Sequence, residues 1–217
     1  MSSDCIDPYL NPSTGVLRNL VGATSYDELA NAEGELVTFR TGEFLEKLPI
    51  KVTGSLEDLK AMHRWLFQDV YDWAGQTRTV EIRKLGENSQ FFLPSTNIEM
   101  GVNWAQGELA KDGMLKGMDK RTLVQRLSFH YDNYNFVHPF REGNGRTQRL
   151  FWTLICHDAG FDLDWRKVSG EENDEASRLA AEELDRTGLE SMFDKIATPC
   201  DPDVPINAEM LEGGHLS

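Results

Sequence analysis

The chain has 217 residues, 40% of them hydrophobic, and a formal net charge of −14 from 36 acidic and 22 basic residues. That length fits one globular domain with some additional helices or tails, and so negative a surface disfavours general nucleic-acid binding. No apolar run nears the roughly 18 residues of a membrane span, the N-terminus lacks a signal-peptide pattern, and Cys5, Cys156 and Cys200 are odd in number and far apart, so no membrane association and a cytoplasmic location without a disulfide framework are expected.

Residues 1–15 are rich in Pro, Ser, Asn and Asp and read as an extended N-terminal arm. Ser25, with Glu28 three residues on, forms a capping box for a helix through Tyr26, Leu29 and Ala32 towards Phe39. After a turn bounded by Pro49 and Gly54, Ser55 and Asp58 repeat that signal. The helix they open carries Leu56, Leu59, Met62, Trp65, Leu66, Val70 and Trp73 on one wide apolar stripe. From Thr77 to Leu93 the pattern becomes that of a small hairpin, with Thr79, Val80 and Ile82 facing Phe91, Phe92 and Leu93 across a polar turn. Ser95 or Thr96 is placed to cap a helix through Ile98, Val102, Trp104 and Leu109, and Asp119 to cap another ending near Asn135. The apolar run Leu150–Ile155 stops before Gly160 and predicts a buried central helix. Two more helices are expected, within Glu175–Leu184 and around Leu189–Ile196, followed by a mobile tail over residues 198–217. The fold class is mostly α with one small β-hairpin.

The stretch His138-Pro-Phe-Arg-Glu-Gly-Asn-Gly-Arg-Thr-Gln-Arg149 concentrates the chemistry. A helix starting near Gly143 or Asn144 aims free N–H groups and its positive dipole end at the preceding loop. Gly143 and Gly145 let a phosphate approach the backbone, and Asn144 can donate an amide hydrogen bond to it. Arg146 and Arg149 share a helix face and can reach further phosphate oxygens; Arg141 adds to the local cation cluster. Glu142 is placed to ligate Mg²⁺ on a polyphosphate, and His138 to take a proton from an attacking hydroxyl. Pro139 and Phe140 look structural. Alone, His-Pro is usually loop, Gly-Asn-Gly a turn and Arg-x-x-Arg a solvated face; their order and spacing together mark an active site. His63, His130 and His157 read as core-edge or surface residues, no pair of histidines has zinc-site spacing, and the cysteines supply no ligand cluster.

This stretch resembles the complete motif of the Fic domain family, His-x-Phe-x-Asp/Glu-Gly-Asn-Gly-Arg-x-x-Arg, with every defined position filled. The likeness extends to Asp7–Leu10, Leu17–Leu20 and Trp65–Gly75, and assigns residues 16–197 to a Fic-type helical bundle with the hairpin as a flap beside the active site. The resemblance implies transfer of AMP from ATP to a Tyr, Ser or Thr hydroxyl of a target protein. His138 is then the base, Glu142 the Mg²⁺ ligand, Gly143, Asn144 and Gly145 the anion cradle, and Arg146 and Arg149 the holders of the β- and γ-phosphates. Lys84 and Phe91 are implied flap contacts to an extended target segment. The kinase-like Doc relatives carry lysine where Gly145 stands, so nucleotidyl transfer is favoured over phosphorylation; transfer of UMP or phosphate, or nucleotide sensing without transfer, are the alternatives. Many relatives are silenced by a Ser/Thr-x-x-x-Glu-Gly/Asn helix. Leu29, Val168 and Ala208 break the three nearest internal copies, at Glu33, Glu172 and Glu212. The chain therefore resembles a toxin whose inhibitory helix comes from a separate small antitoxin, with DNA gyrase or topoisomerase IV subunits as the implied targets.

Overall fold

The computed structural model describes residues 7–83 and 91–211. Within them the chain forms seven α-helices and one short antiparallel sheet, the mostly helical architecture the sequence predicts. Both capping boxes form. Ser25 opens α1 (Tyr26–Lys47) with Glu28 reaching back, and Ser55 opens α2 (Leu56–Phe67) with Asp58 in the same role. α1 continues eight residues beyond Phe39, because Phe44 supplies another core contact on the same face.

The second helix is shorter than its apolar stripe suggests. α2 stops at Phe67, and a series of turns carries Val70, Tyr71 and Trp73 into the core instead. Turn residues that happen to continue a helical spacing thus extended the expected helix by six positions. Gly75 closes these turns at φ +79°, where its N–H donates to His63 Nδ1 at 2.8 Å.

Of the expected hairpin, the two arms are seen to pair. Arg83 bridges Phe91 antiparallel, and the Phe92 N–H donates to the Ile82 carbonyl at 3.1 Å. Lys84 lies outside the described residues. Neither Ser95 nor Thr96 caps the next helix: residues 95–97 form a single 3-10 turn before α3 (Ile98–Lys111), whose N-cap Asn97 makes no side-chain cap bond. The Ser95 hydroxyl donates instead to Glu81 at 2.7 Å, tying the flap base to α3.

Asp119 caps α4 (Lys120–Val137), which runs two residues past Asn135. α5 (Asn144–Asp158) is the expected central helix, with Leu150, Phe151, Trp152 and Cys156 fully buried. Strand β1 (Phe161–Leu163) follows. Ser169 then caps α6 (Gly170–Glu183), which starts five residues before Glu175, and α7 (Thr187–Ile196) leads into strand β2 (Ala197–Pro199). The two strands pair with Asp162 opposite Thr198. Residues 208–211 form a 3-10 turn whose Leu211 packs on the core. α2 packs on α1 and α5, while α4 packs on α3 and α7. The α4–α5 connection, which carries the motif, is therefore braced on both sides.

Two glycines test this framework. A Cβ on Gly75 would lie 2.7 Å from Arg64 Cβ and 2.9 Å from the Lys60 carbonyl, at a positive φ. Gly107, inside α3, has open space around it. In urea unfolding, Gly75→Ala is expected to destabilise by more than about 1 kcal/mol. Gly107→Ala is expected to stabilise by about 0.5–1 kcal/mol.

Candidate active site

His138 is the last link of α4 and the first residue of the motif. It caps the helix in the left-handed region, φ +46°, with its N–H still donating to the Tyr134 carbonyl. Its ring Nδ1 lies 3.3 Å from the Asn135 carbonyl. A carbonyl only accepts, so this contact suits the tautomer with its hydrogen on Nδ1, in which Nε2 is the basic nitrogen. Phe92 from the flap stacks on the imidazole, centroids 3.8 Å apart and 10° from parallel. Phe91, the flap residue singled out from the sequence, is exposed and carries the Arg83 guanidinium over its ring at 5.3 Å.

The loop from His138 to Gly143 is held by residues distant in sequence. Arg78, 2% exposed, donates from Nε to the His138 carbonyl at 2.9 Å, from one terminal nitrogen to Val80, and from the other to Leu93 and Val137. Its own N–H donates to the Pro139 carbonyl at 2.9 Å. On the other side stands His63, fully buried rather than at the core edge. Because its Nδ1 accepts from Gly75, its Nε2 carries the hydrogen and donates to the Glu142 carbonyl at 2.9 Å. The ring stacks between Phe67 and Phe140 at 4.6 and 4.0 Å. Burial pushes its pKa down to about 3, so the ring is neutral at pH 7.

The Asn144 side chain braces the loop itself. Its Nδ2 donates to the Phe140 carbonyl at 2.8 Å and its Oδ1 accepts the Phe140 N–H at 2.9 Å, closing the loop as a small ring. Gly143 sits at φ +80°, and a Cβ there would come within 2.4 Å of the Phe67 ring. The glycine is thus required by the aromatic floor beneath the loop. α5 starts directly after it with no side-chain cap, unlike α1, α2, α4 and α6. Its first N–H groups, including that of Gly145, face the loop with the dipole's positive end, which is the backbone arrangement that holds phosphate.

The charged residues sort into three environments. Arg141 turns to the N-terminal arm, where Nε donates to Asp7 at 2.9 Å, and so leaves the cation cluster read from the sequence. Arg146 lies over the Phe67 ring at 4.8 Å and pairs with buried Glu33 of α1, whose other oxygen accepts from the Tyr71 hydroxyl. Arg149 is buried with its guanidinium 5.6 Å from the Trp165 ring, and burial lowers its pKa. Glu142 has a half-exposed carboxylate; one oxygen accepts the Gly143 N–H at 2.8 Å and lies 3.6 Å from Arg146. An oriented, solvent-reachable carboxylate beside an anion cradle fits Mg²⁺, which takes one or two carboxylates and completes its shell with phosphate oxygens and water. Sequence reasoning missed Arg78, His63 and Phe92, and met Glu33 only as part of a broken copy of the inhibitory pattern. For Arg78 and His63 no local pattern signals a role.

A sequence profile described as the Fic/DOC family matches residues 53–156. Protein adenylyltransferase VbhT of Bartonella schoenbuchensis is 39% identical over 171 residues, covering 79% of this chain and 35% of that protein. This chain thus spans about a third of VbhT's length. A probable protein adenylyltransferase Fic of Escherichia coli K12 is 34% identical over 192 residues, covering 88% of this chain and 92% of that one. Among solved structures, BepC of Bartonella tribocorum with bound AMPPNP matches with a TM-score of 0.82 at 21% identity, over 89% of this chain and 97% of that one. The type IV secretion effector BepA matches with a TM-score of 0.71 at 25% identity, over 88% and 68%.

The buried neutral His63 makes stability depend on pH with a definite sign. Its folded pKa of about 3 lies below the unfolded value of 6.5. The unfolded chain therefore binds the proton first, and stability falls as pH drops below about 6.5. Between pH 6.5 and 5, wild-type unfolding free energy is expected to fall more steeply than that of His63→Gln, by up to about 1.4 kcal/mol per pH unit. Equal slopes in urea titrations would refute the assignment.

Proposed function

Since this chain belongs to the Fic/DOC family, we propose that it is a protein adenylyltransferase, moving AMP from ATP to a hydroxyl side chain of a target protein. The observation that carries the reading is the pairing of a base and an anion cradle across one locked loop. His138 Nε2 stands at one end of that loop and the uncapped start of α5 at the other. Mg²⁺ bound by Glu142 would draw charge from the phosphates of the nucleotide. His138 accepts the proton of the target hydroxyl as its oxygen attacks the α-phosphorus. The bond from that phosphorus to the bridging oxygen breaks, and pyrophosphate leaves. The N–H groups of α5 hold the phosphate oxygens, and Arg146 and Arg149 bind the β- and γ-phosphates. A guanidinium offers five donors, so Arg146 can meet a phosphate while it keeps Glu33.

The flap supports strand addition as the way a target is presented. Its arms pair antiparallel at Arg83 and Phe91 and sit directly over His138 through Phe92. An extended target segment laid along it would bring its hydroxyl to Nε2. Phe91, exposed, and Lys84 are the side chains proposed to touch that segment.

We further propose that the protein is the toxin of a toxin–antitoxin pair and that its targets are type II topoisomerase subunits. Support comes from the sequence, where no internal copy of the inhibitory pattern is intact. In this reading a small antitoxin supplies the glutamate that engages Arg149.

Incubation with α-labelled ATP and gyrase or topoisomerase IV subunits is expected to label the target, and γ-labelled ATP to leave it unlabelled. His138→Ala is expected to reduce labelling by about 10²–10⁴-fold. Label from the γ-position would instead identify phosphoryl transfer. Absence of target label from α-labelled ATP, with His138→Ala behaving like wild type, would overturn the enzymatic reading. Mass spectrometry of cells expressing the protein is expected to find AMP on a topoisomerase subunit, and less of it when a small partner is co-expressed.

A further inference from the structure

At the far end of α5 from the motif, three side chains converge that the proposed reaction does not use. His157 lies in the last turn of α5, Asp162 in the middle of β1, and Cys200 one residue beyond β2. One ligand atom from each lies within 4.8 Å of the other two. Asp162 Oδ1 is 2.8 Å from His157 Nδ1, and Cys200 Sγ is 3.6 Å from the same nitrogen. The backbone fixes this meeting. Asp162 is paired in register with Thr198, and the Cys200 N–H donates to the Gly160 carbonyl at 2.9 Å.

The convergence on one nitrogen discriminates between two chemistries. A Cys-His-Asp nucleophile needs the carboxylate on one ring nitrogen and the thiol on the other. Here both face Nδ1, so the ring cannot relay a proton between them. An imidazole nitrogen, a thiolate sulfur and a carboxylate oxygen crowded around a common point are instead the donor set of a borderline-soft cation. We propose that His157, Asp162 and Cys200 form a binding site for a divalent transition metal of the Zn²⁺ class. The metal takes the place of the hydrogen on His157 Nδ1, which moves to Nε2 as the ring changes tautomer, and the thiol proton of Cys200 passes to solvent on binding. Three protein ligands leave a fourth position for water.

Two further observations fit a cation here. The site lies at the C-terminal end of α5, where the helix dipole favours positive charge. All three ligands are only partly buried, so a cation can reach them from solvent, and His157 also borders a cavity of about 660 Å³ lined by Leu45, Ile50, Leu154 and residues 202–206. Residues 146 and 157 are separated by about 16 Å along the helix axis, so this site is separate from the one at Glu142. Its effect is to clamp β2 to the end of α5.

Cobalt(II) added to the reduced wild-type protein tests the proposal, because a thiolate ligand gives a near-ultraviolet charge-transfer band. One equivalent is expected to develop that band, and Zn²⁺ to remove it. Cys200→Ser, a one-atom change, is expected to lose the band. Cys5→Ser and Glu142→Ala are expected to keep it. Zn²⁺ is expected to raise the melting temperature of wild type and of Cys5→Ser but not that of Cys200→Ser. No band in wild type, or an equal band in Cys200→Ser, would overturn the site. Asp162→Asn, which preserves shape, should weaken binding; unchanged binding there would remove Asp162 from the ligand set.

Discussion

The site rests on one buried cation. Arg78 places its guanidinium beneath the motif loop and donates to carbonyls from two directions: Val137 and His138 at the end of α4, and Val80 and Leu93 at the roots of the flap. A buried charge without partners is expensive, so a single guanidinium meeting so many carbonyl dipoles can be satisfied only when all these strands of chain are in place. Glu81 at 3.6 Å adds an opposite charge and joins the same assembly to Ser95. The geometry of base and flap is therefore set jointly. Because the partners are carbonyls, side chains along the flap can change without disturbing the frame that carries them.

A second support comes from the opposite side and is aromatic. Phe67 and Phe140 enclose His63, whose one ring hydrogen bond fixes the Glu142 carbonyl and whose other fixes Gly75. Phe67 also lies beneath Gly143 and beneath the Arg146 guanidinium. One ring at the end of α2 thus sets the approach of the loop and the direction of the Arg146 guanidinium. Tyr71 extends this floor and, through Glu33, holds the same arginine from α1. Orientation of this kind is how a fold prepares donors before any charge develops in a reaction.

What could be read from the sequence was local. Capping boxes at Ser25 and Ser55 are complete within four residues, and the family motif from His138 to Arg149 within twelve, so the helix starts and the family were legible without the fold. Arg78 and His63 act on partners 60 and 79 positions away, and nothing beside them in the chain signals it. Asn144 was legible as important but not in its role, since only the folded loop shows both its polar atoms committed to Phe140. Trp73 and Val70 misled because buried turns can mimic helical spacing. Strands β1 and β2 are three residues each, too short for an alternating pattern to stand out.

The left-handed backbone at His138 has a consequence for how this protein can change over generations. A non-glycine residue at φ +46° costs roughly 1–2 kcal/mol, and glycine is the residue that removes that strain. Mutations that relax the α4 terminus therefore compete directly with the imidazole. Selection for thermal robustness alone would drift this position towards glycine; on the proposed reading, in which the ring is the base, that drift would silence the protein.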